Sequence, residues 1–192
     1  MLLISAAFLV CAKSQAELPP SDSSERQASA LASEFVALLK PVLKQAMADG
    51  GPTNAIAVCA DRAPAIADSL SLQSDWTVRR VSLKSRNASR AIPDSWERAV
   101  LIEFDERAKS GEDSATINFG EVVDGRYRYM QAQAVEPVCL VCHGQNLAVD
   151  VKESLRQYYP DDWATGYSLG QVRGAISVSQ GRAKLDLQDQ HD

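Results

Sequence analysis

Five residues constrain this chain more than any other stretch: Cys139-Leu140-Val141-Cys142-His143. Two thiols spaced by two residues can reach the two vinyl groups of one porphyrin and close thioether bonds. The His that follows can then bind the iron through an imidazole nitrogen. The pattern therefore predicts a covalent haem c, one axial iron ligand and an export route together. Chance is a poor rival, at roughly one match in a thousand chains of this Cys and His content. A zinc site needs four ligands, usually from two such clusters. Outside the first sixteen residues only Cys59 and His191 remain to supply them, and His191 is penultimate. A redox dithiol of the thioredoxin kind wants a βαβ context, which the hydrophobic pattern does not offer.

The 192 residues, 45% of them hydrophobic, suit one compact domain behind a processed leader. Met1 to Ala16 reads as a secretory signal peptide. Leu2 to Val10 are mostly apolar, and Ser14-Gln15-Ala16 offers small residues for cleavage. The absence of Lys or Arg before Lys13 is atypical for such a leader. Its apolar run is too short for a stable membrane anchor. Cys11 invites a lipoprotein reading, but Phe8-Leu9-Val10 lacks the small residues expected before a lipidated Cys. A soluble periplasmic protein with no integral membrane segment after leader cleavage is expected.

The formal charge of −5 becomes one unit more negative when Lys13 leaves with the leader. A mildly acidic chain of this kind is not a nucleic-acid binder. Leader cleavage keeps three cysteines. The haem pattern uses two, so Cys59 has no disulfide partner within the chain.

Residues 17–24, with Pro19-Pro20, read as a disordered lead-in, residues 25–180 as a single domain and residues 181–192 as a flexible tail. From Glu25 to Asp49, Leu31, Phe35, Leu38, Leu39, Val42 and Ala46 repeat at helical spacing, with a kink expected at Pro41. Gly50-Gly51-Pro52 should stop that helix. A second helical stretch, Asn54 to Leu70, puts Ile56, Cys59, Ala63, Ile66 and Leu70 on one face, with a bend expected at Pro64. Trp76 to Lys84 has strand propensity, and its alternation slips at Arg79-Arg80, which suggests a bulge. Pro93-Asp94 opens a helix through Lys109. Ala115 to Val123, the turn Asp124-Gly125, and Arg126 to Val135 form a β-hairpin. Val149 to Tyr158 reads as a short helix, Tyr159 to Gly170 as loop and Val172 to Ser179 as a last strand. Helices first and an antiparallel sheet later make an α+β domain.

Iron in a haem has a second axial position. Cys59, Met47, Met130, His191, a Lys, water or nothing are the candidates for it. A Met among apolar residues is more often core filler, and so is a free Cys. Cys59 nonetheless has small neighbours, Ala60 and Ala63, which would let a flat porphyrin approach. Were it a ligand, ferric iron would hold it as thiolate, and the anion would favour Fe(III) over Fe(II). Arg79, Arg80, Lys84, Arg86 and Arg90 crowd into twelve residues. They could neutralise haem propionates, since carboxylates favour bidentate Arg, or form a solvated strand face.

Several ordered blocks then resemble one family. They are Ala55-Ile56-Ala57-Val58-Cys59 with Ala63 to Ala67, Val78 to Asn87, Pro93 to Glu97, Cys139 to Gly144, Tyr159 to Tyr167 and Arg173 to Val178. Together they look like a bacterial family of exported c-type haem domains of unknown function. The resemblance implies a PAS-like fold, in which an antiparallel sheet flanked by helices holds the haem in a pocket. It also implies a Cys/His-ligated iron, with the distal thiolate at Cys59. Relatives carry the domain on membrane-bound histidine kinases, which implies redox or ligand sensing. No output module follows here, so signalling within one chain is not expected. Ala88 and Arg90 stand where the family often has Pro and Asn.

The leading expectation is a periplasmic mono-haem protein for redox or small-ligand sensing or electron transfer, with an unidentified redox partner or ligand. A haem enzyme, a peroxidase or sulfur-compound oxidoreductase, is the alternative. It would need an open iron position and a distal acid or base, and a distal His is scarce here. A structural or partner-binding subunit with a vestigial haem is the third class.

Overall fold

The structure is a computed structural model that describes residues 20–181. The leader (1–16) and the tail from 182 onward lie outside the described residues.

Helix α1 runs Pro20–Leu72 and is two helices in one. Gly50 (φ −154°, ψ 19°) and Gly51 (φ 68°, ψ −161°) leave helical geometry between its arms. Gly51 adopts a positive φ that a residue with a Cβ would resist. The expected stop at Gly50-Gly51 is thus a kink. Pro41 and Pro64, where a kink and a bend were expected, sit inside the helix, and among its residues only Gly50 and Gly51 leave helical backbone angles. Apolar packing on either side holds the chain through them: Phe35 and Ala46 are buried around Pro41, and Ala63, Ile66 and Ala67 around Pro64. Among the described residues helix α1 already covers 20–24, part of the segment 17–24 expected to be disordered.

Four antiparallel strands follow: β1 (Trp76–Val81), β2 (Asn118–Val123), β3 (Arg126–Ala134) and β4 (Val172–Gln180), in the order β1-β4-β3-β2. The β2–β3 hairpin closes where Val123 pairs with Arg126 across Asp124 (φ 49°) and Gly125 (φ 73°). Two consecutive positive φ values are what a tight hairpin turn of the expected kind requires.

Both sheet faces are covered. Ala28, Ala32 and Phe35 from the first arm of α1, and Ala63, Ile66, Ala67 and Leu70 from the second, pack on Trp76, Val78, Tyr127, Tyr129, Ile176 and Val178. On the other face α3 (Ser95–Lys109) presents Val100, Leu101 and Phe104 to Val81, Met130, Ala132 and Ala175. Asp94 caps α3 in a capping box with Glu97. A one-turn helix, α2 (Ala88–Ala91), lies between β1 and α3. The architecture is α+β, an antiparallel sheet flanked by helices, as expected.

The bulge is not at Arg79-Arg80. Register between β1 and β4 is continuous from Trp76–Gln180 to Val81–Ala175. Because β1 is covered on both faces, its hydrophobic pattern does not simply alternate. The register shifts instead in β4. Consecutive Gln133 and Ala134 of β3 pair with Gly174 and Val172, so Arg173 is the extra residue. Gly174 (φ 156°) fits closely there, since a Cβ would meet the Val81 carbonyl oxygen at 2.4 Å.

Candidate functional site

After β3 the chain makes a 3₁₀ turn, Pro137–Cys139, then one helical turn, α4 (Leu140–His143). This short spiral puts Cys139, Cys142 and His143 together. All three thiols of the described residues, Cys59, Cys139 and Cys142, are free and half-buried. Helix α5 (Val149–Tyr158) packs Val151 and Leu155 on Ile56 of α1, with Cys142 against the same cluster. This contact brings the second arm of α1, and Cys59 with it, to the Cys-x-x-Cys-His turn. Cys59 and Cys142 are close enough that each thiolate would raise the energy of the other.

The loop expected at 159–170 works as a strap across α4. Gly166 N–H donates to the Gly144 carbonyl (3.0 Å) and Tyr167 N–H to the His143 carbonyl (2.9 Å). His143 Nδ1 lies 2.7 Å from the Ala164 carbonyl oxygen. A carbonyl oxygen can only accept, so Nδ1 carries the proton and Nε2 keeps a lone pair. That hydrogen bond fixes both tautomer and ring direction, as partners of metal-binding His do elsewhere. Burial, and the cations Arg173 and Arg86, hold His143 well below the usual imidazole range. The ring is thus kept neutral, the form that binds a metal.

Three guanidinium groups converge here. Arg86 donates to the carbonyl oxygens of Cys142 and Ala164 and pairs with Asp162 (3.2 Å). Asp162 also accepts the Ala164 N–H at 2.8 Å. Arg86 therefore ties the two thiols' turn to the residue that orients His143. Arg80 lies near Cys59, Tyr159 and Cys139, and Arg173 Nε donates to His143 Nε2 at 3.4 Å. Among the described residues, neither Arg80 nor Arg173 lies within ion-pair distance of a carboxylate. Loss of hydration lowers the proton affinity of both, Arg173 to about 9. Burial likewise raises the thiols of Cys59 and Cys142, while Arg80 and Arg86 favour the Cys59 thiolate and Arg86 that of Cys142.

Arg79 is not part of this cluster. Neighbouring strand residues point to opposite faces, and Arg79 faces α3. There it donates to the Ile92 carbonyl at 2.6 Å and lies 3.7 Å from buried Glu97. Arg90 pairs with Asp68, and Lys84 sits over the Tyr167 ring at 5.0 Å. Met130 is fully buried between sheet and α3, and Met47 lies on the first arm of α1; His191 is outside the described residues. Arg173 was missed from sequence, although the isolated Gly174 beside it in a strand is the ordinary mark of a bulge.

These donors fit a covalent haem c. Two free thiols stand at the attachment spacing, and a neutral imidazole offers its Nε2. A third thiol comes from a distant helix, and two half-buried cations, Arg80 and Arg173, have no carboxylate partner of the kind that propionates would supply. Among the described residues, no group of three or more His, Cys, Asp or Glu is arranged to hold a bare metal ion.

Fold and site together define an α+β domain with a sheet flanked by helices and a Cys-x-x-Cys-His turn strapped beside a helical Cys. A model of the Tll0287-like family matches residues 13–180, and the chain belongs to that family. Among solved structures it resembles the one described as "Crystal structure of the cyanobacterial heme-protein Tll0287". That likeness has a TM-score of 0.61 at 23% identity and covers 86% of this chain and 98% of the other. No curated protein matches. Among the described residues, no helix is long and apolar enough to cross a membrane.

Proposed function

We propose that this protein binds one haem c, attached through Cys139 and Cys142, with His143 and Cys59 as axial ligands, and works in the periplasm as a redox-responsive sensor or electron carrier. The observation that carries this reading is the meeting of Cys59 from α1 with the Cys-x-x-Cys-His turn, beside two guanidiniums, those of Arg80 and Arg173, that lack carboxylates. Family membership and the haem protein of similar fold support it. Periplasmic residence follows from the leader expected at 1–16 and from the export that c-type haem attachment implies.

Each residue has a distinct task. Cys139 and Cys142 anchor the group. Ala164 holds the Nδ1 proton of His143, which leaves the Nε2 lone pair as the one that would bind the iron. Arg80 and Arg86 favour the Cys59 thiolate, and Arg80, which has no carboxylate partner, supplies charge to a propionate. When bound, the haem supplies a one-electron ferric/ferrous couple. Thiolate ligation stabilises the ferric side of that couple. With both axial positions filled, no open iron site remains for peroxide or substrate, which favours redox response over catalysis.

The test is a haem stain on a denaturing gel, after periplasmic expression with haem-attachment machinery. Stain that survives denaturation in the wild type and vanishes in C139A/C142A is expected. Wild-type protein without stain refutes the attachment.

A further inference from the structure

Arg173 has an unusual position. It is the bulged residue of β4, and bulges often re-aim a side chain beside a functional site. Its backbone carbonyl is well used, accepting from Ser82 Oγ at 2.7 Å and Tyr167 Oη at 3.2 Å. Its guanidinium has one hydrogen-bond partner among the described residues, the lone pair of His143 Nε2. Iron and Arg173 would compete for that same nitrogen. Arg173 is half-buried, and among the described residues no carboxylate lies within ion-pair distance of it, so its charge is left to pair with an anion that another group brings.

We infer that Arg173 is a positioning residue that completes the charge balance of the ferric site and so sets the iron's potential. This inference rests on the haem reading above. Arg86 is already matched by Asp162. Arg80 and Arg173 are then left for the pair of propionates that every haem c carries. The Cys59 thiolate meets the single net positive charge of ferric iron in a dianionic porphyrin. With all three guanidiniums and the Asp162 carboxylate counted, the ferric site is neutral. One added electron leaves it with one excess negative charge. Removing Arg173 adds another negative increment to both states, and the ferrous state, already in excess, suffers more.

The experiment is spectroelectrochemical titration of the haem-loaded wild type, R173M and R173K. In R173M the ferric/ferrous ratio at a fixed applied potential should rise at least tenfold, which is a fall of about 59 mV in a one-electron midpoint. R173K keeps the charge and should return most of that shift. A second readout separates charge from folding: in the haem-free C139A/C142A background, R173M should melt no lower than its parent, because the guanidinium it removes has no carboxylate partner. An R173M midpoint within twofold of the wild-type ratio overturns the inference and leaves the haem reading standing. An R173K midpoint matching R173M, or a haem-free R173M that melts lower than its parent, also overturns it. A wild type that takes up no haem overturns both.

Discussion

Replacing Arg86 by Met should unlock the site and the fold together. The Arg86–Asp162 pair is 3.2 Å apart, and the two side chains are 10% and 8% exposed. Solvent therefore screens it little, unlike a surface pair worth a fraction of a kcal/mol. Met fills much of the volume but leaves the Asp162 carboxylate buried without its cation. Removing one partner of a buried pair costs about 3–5 kcal/mol. The carbonyls of Cys142 and Ala164 lose a donor in the same step. Taking about 4 kcal/mol for the whole, and roughly 2–4 °C per kcal/mol for a domain of this size, the melting temperature should fall by about 8–16 °C. The assay is thermal and urea unfolding of R86M, D162N and R86M/D162N, all in the haem-free C139A/C142A background. The double variant should recover part of the R86M loss, because no buried charge is left alone. Loss below about 1 kcal/mol in R86M, or a double variant with the two single losses simply added, would refute the buried-pair reasoning.

Two further outcomes follow from the same geometry. In haem-free protein His143 is held well below its ordinary value by burial and by Arg173 and Arg86. The unfolded chain then binds the proton more readily, so this group's contribution is full above about pH 6.5 and is lost as pH falls from there toward the depressed folded value. Urea unfolding between pH 7.5 and 5 should show a steeper loss in the parent than in H143Q, and equal slopes would contradict the assignment. Gly174→Ala should cost at least about 2 kcal/mol, since its φ of 156° and the Val81 carbonyl at 2.4 Å leave a Cβ no place. It should also lower the haem midpoint potential by displacing Arg173; an unchanged urea midpoint and an unchanged potential would contradict the role given to the bulge.

Much of the fold was legible in local signals. The β2–β3 hairpin announced itself by alternation around Asp124-Gly125, α3 by Pro93-Asp94, and α5 by its span. Other features were hidden because tertiary packing overrode local preference. Residues 20–24 read as a lead-in in sequence, yet they belong to α1, whose Ala28, Ala32 and Phe35 are buried against the sheet. Arg79 and Arg80 look like one basic patch in sequence, yet strand geometry sends them to opposite faces, one toward Glu97 and the other toward Cys59. The cysteines and His143 were readable because attachment chemistry demands their spacing. Arg173 was not, for its importance comes from a bulge and a strap that only long-range pairing creates.

The electron paramagnetic resonance spectrum of the ferric protein tests the Cys59/His143 iron most directly. A low-spin signal with the narrow g-spread of thiolate ligation, lost in Cys59→Ser, is the expected result. A high-spin signal in the wild type, or a low-spin signal unchanged in Cys59→Ser, would contradict it.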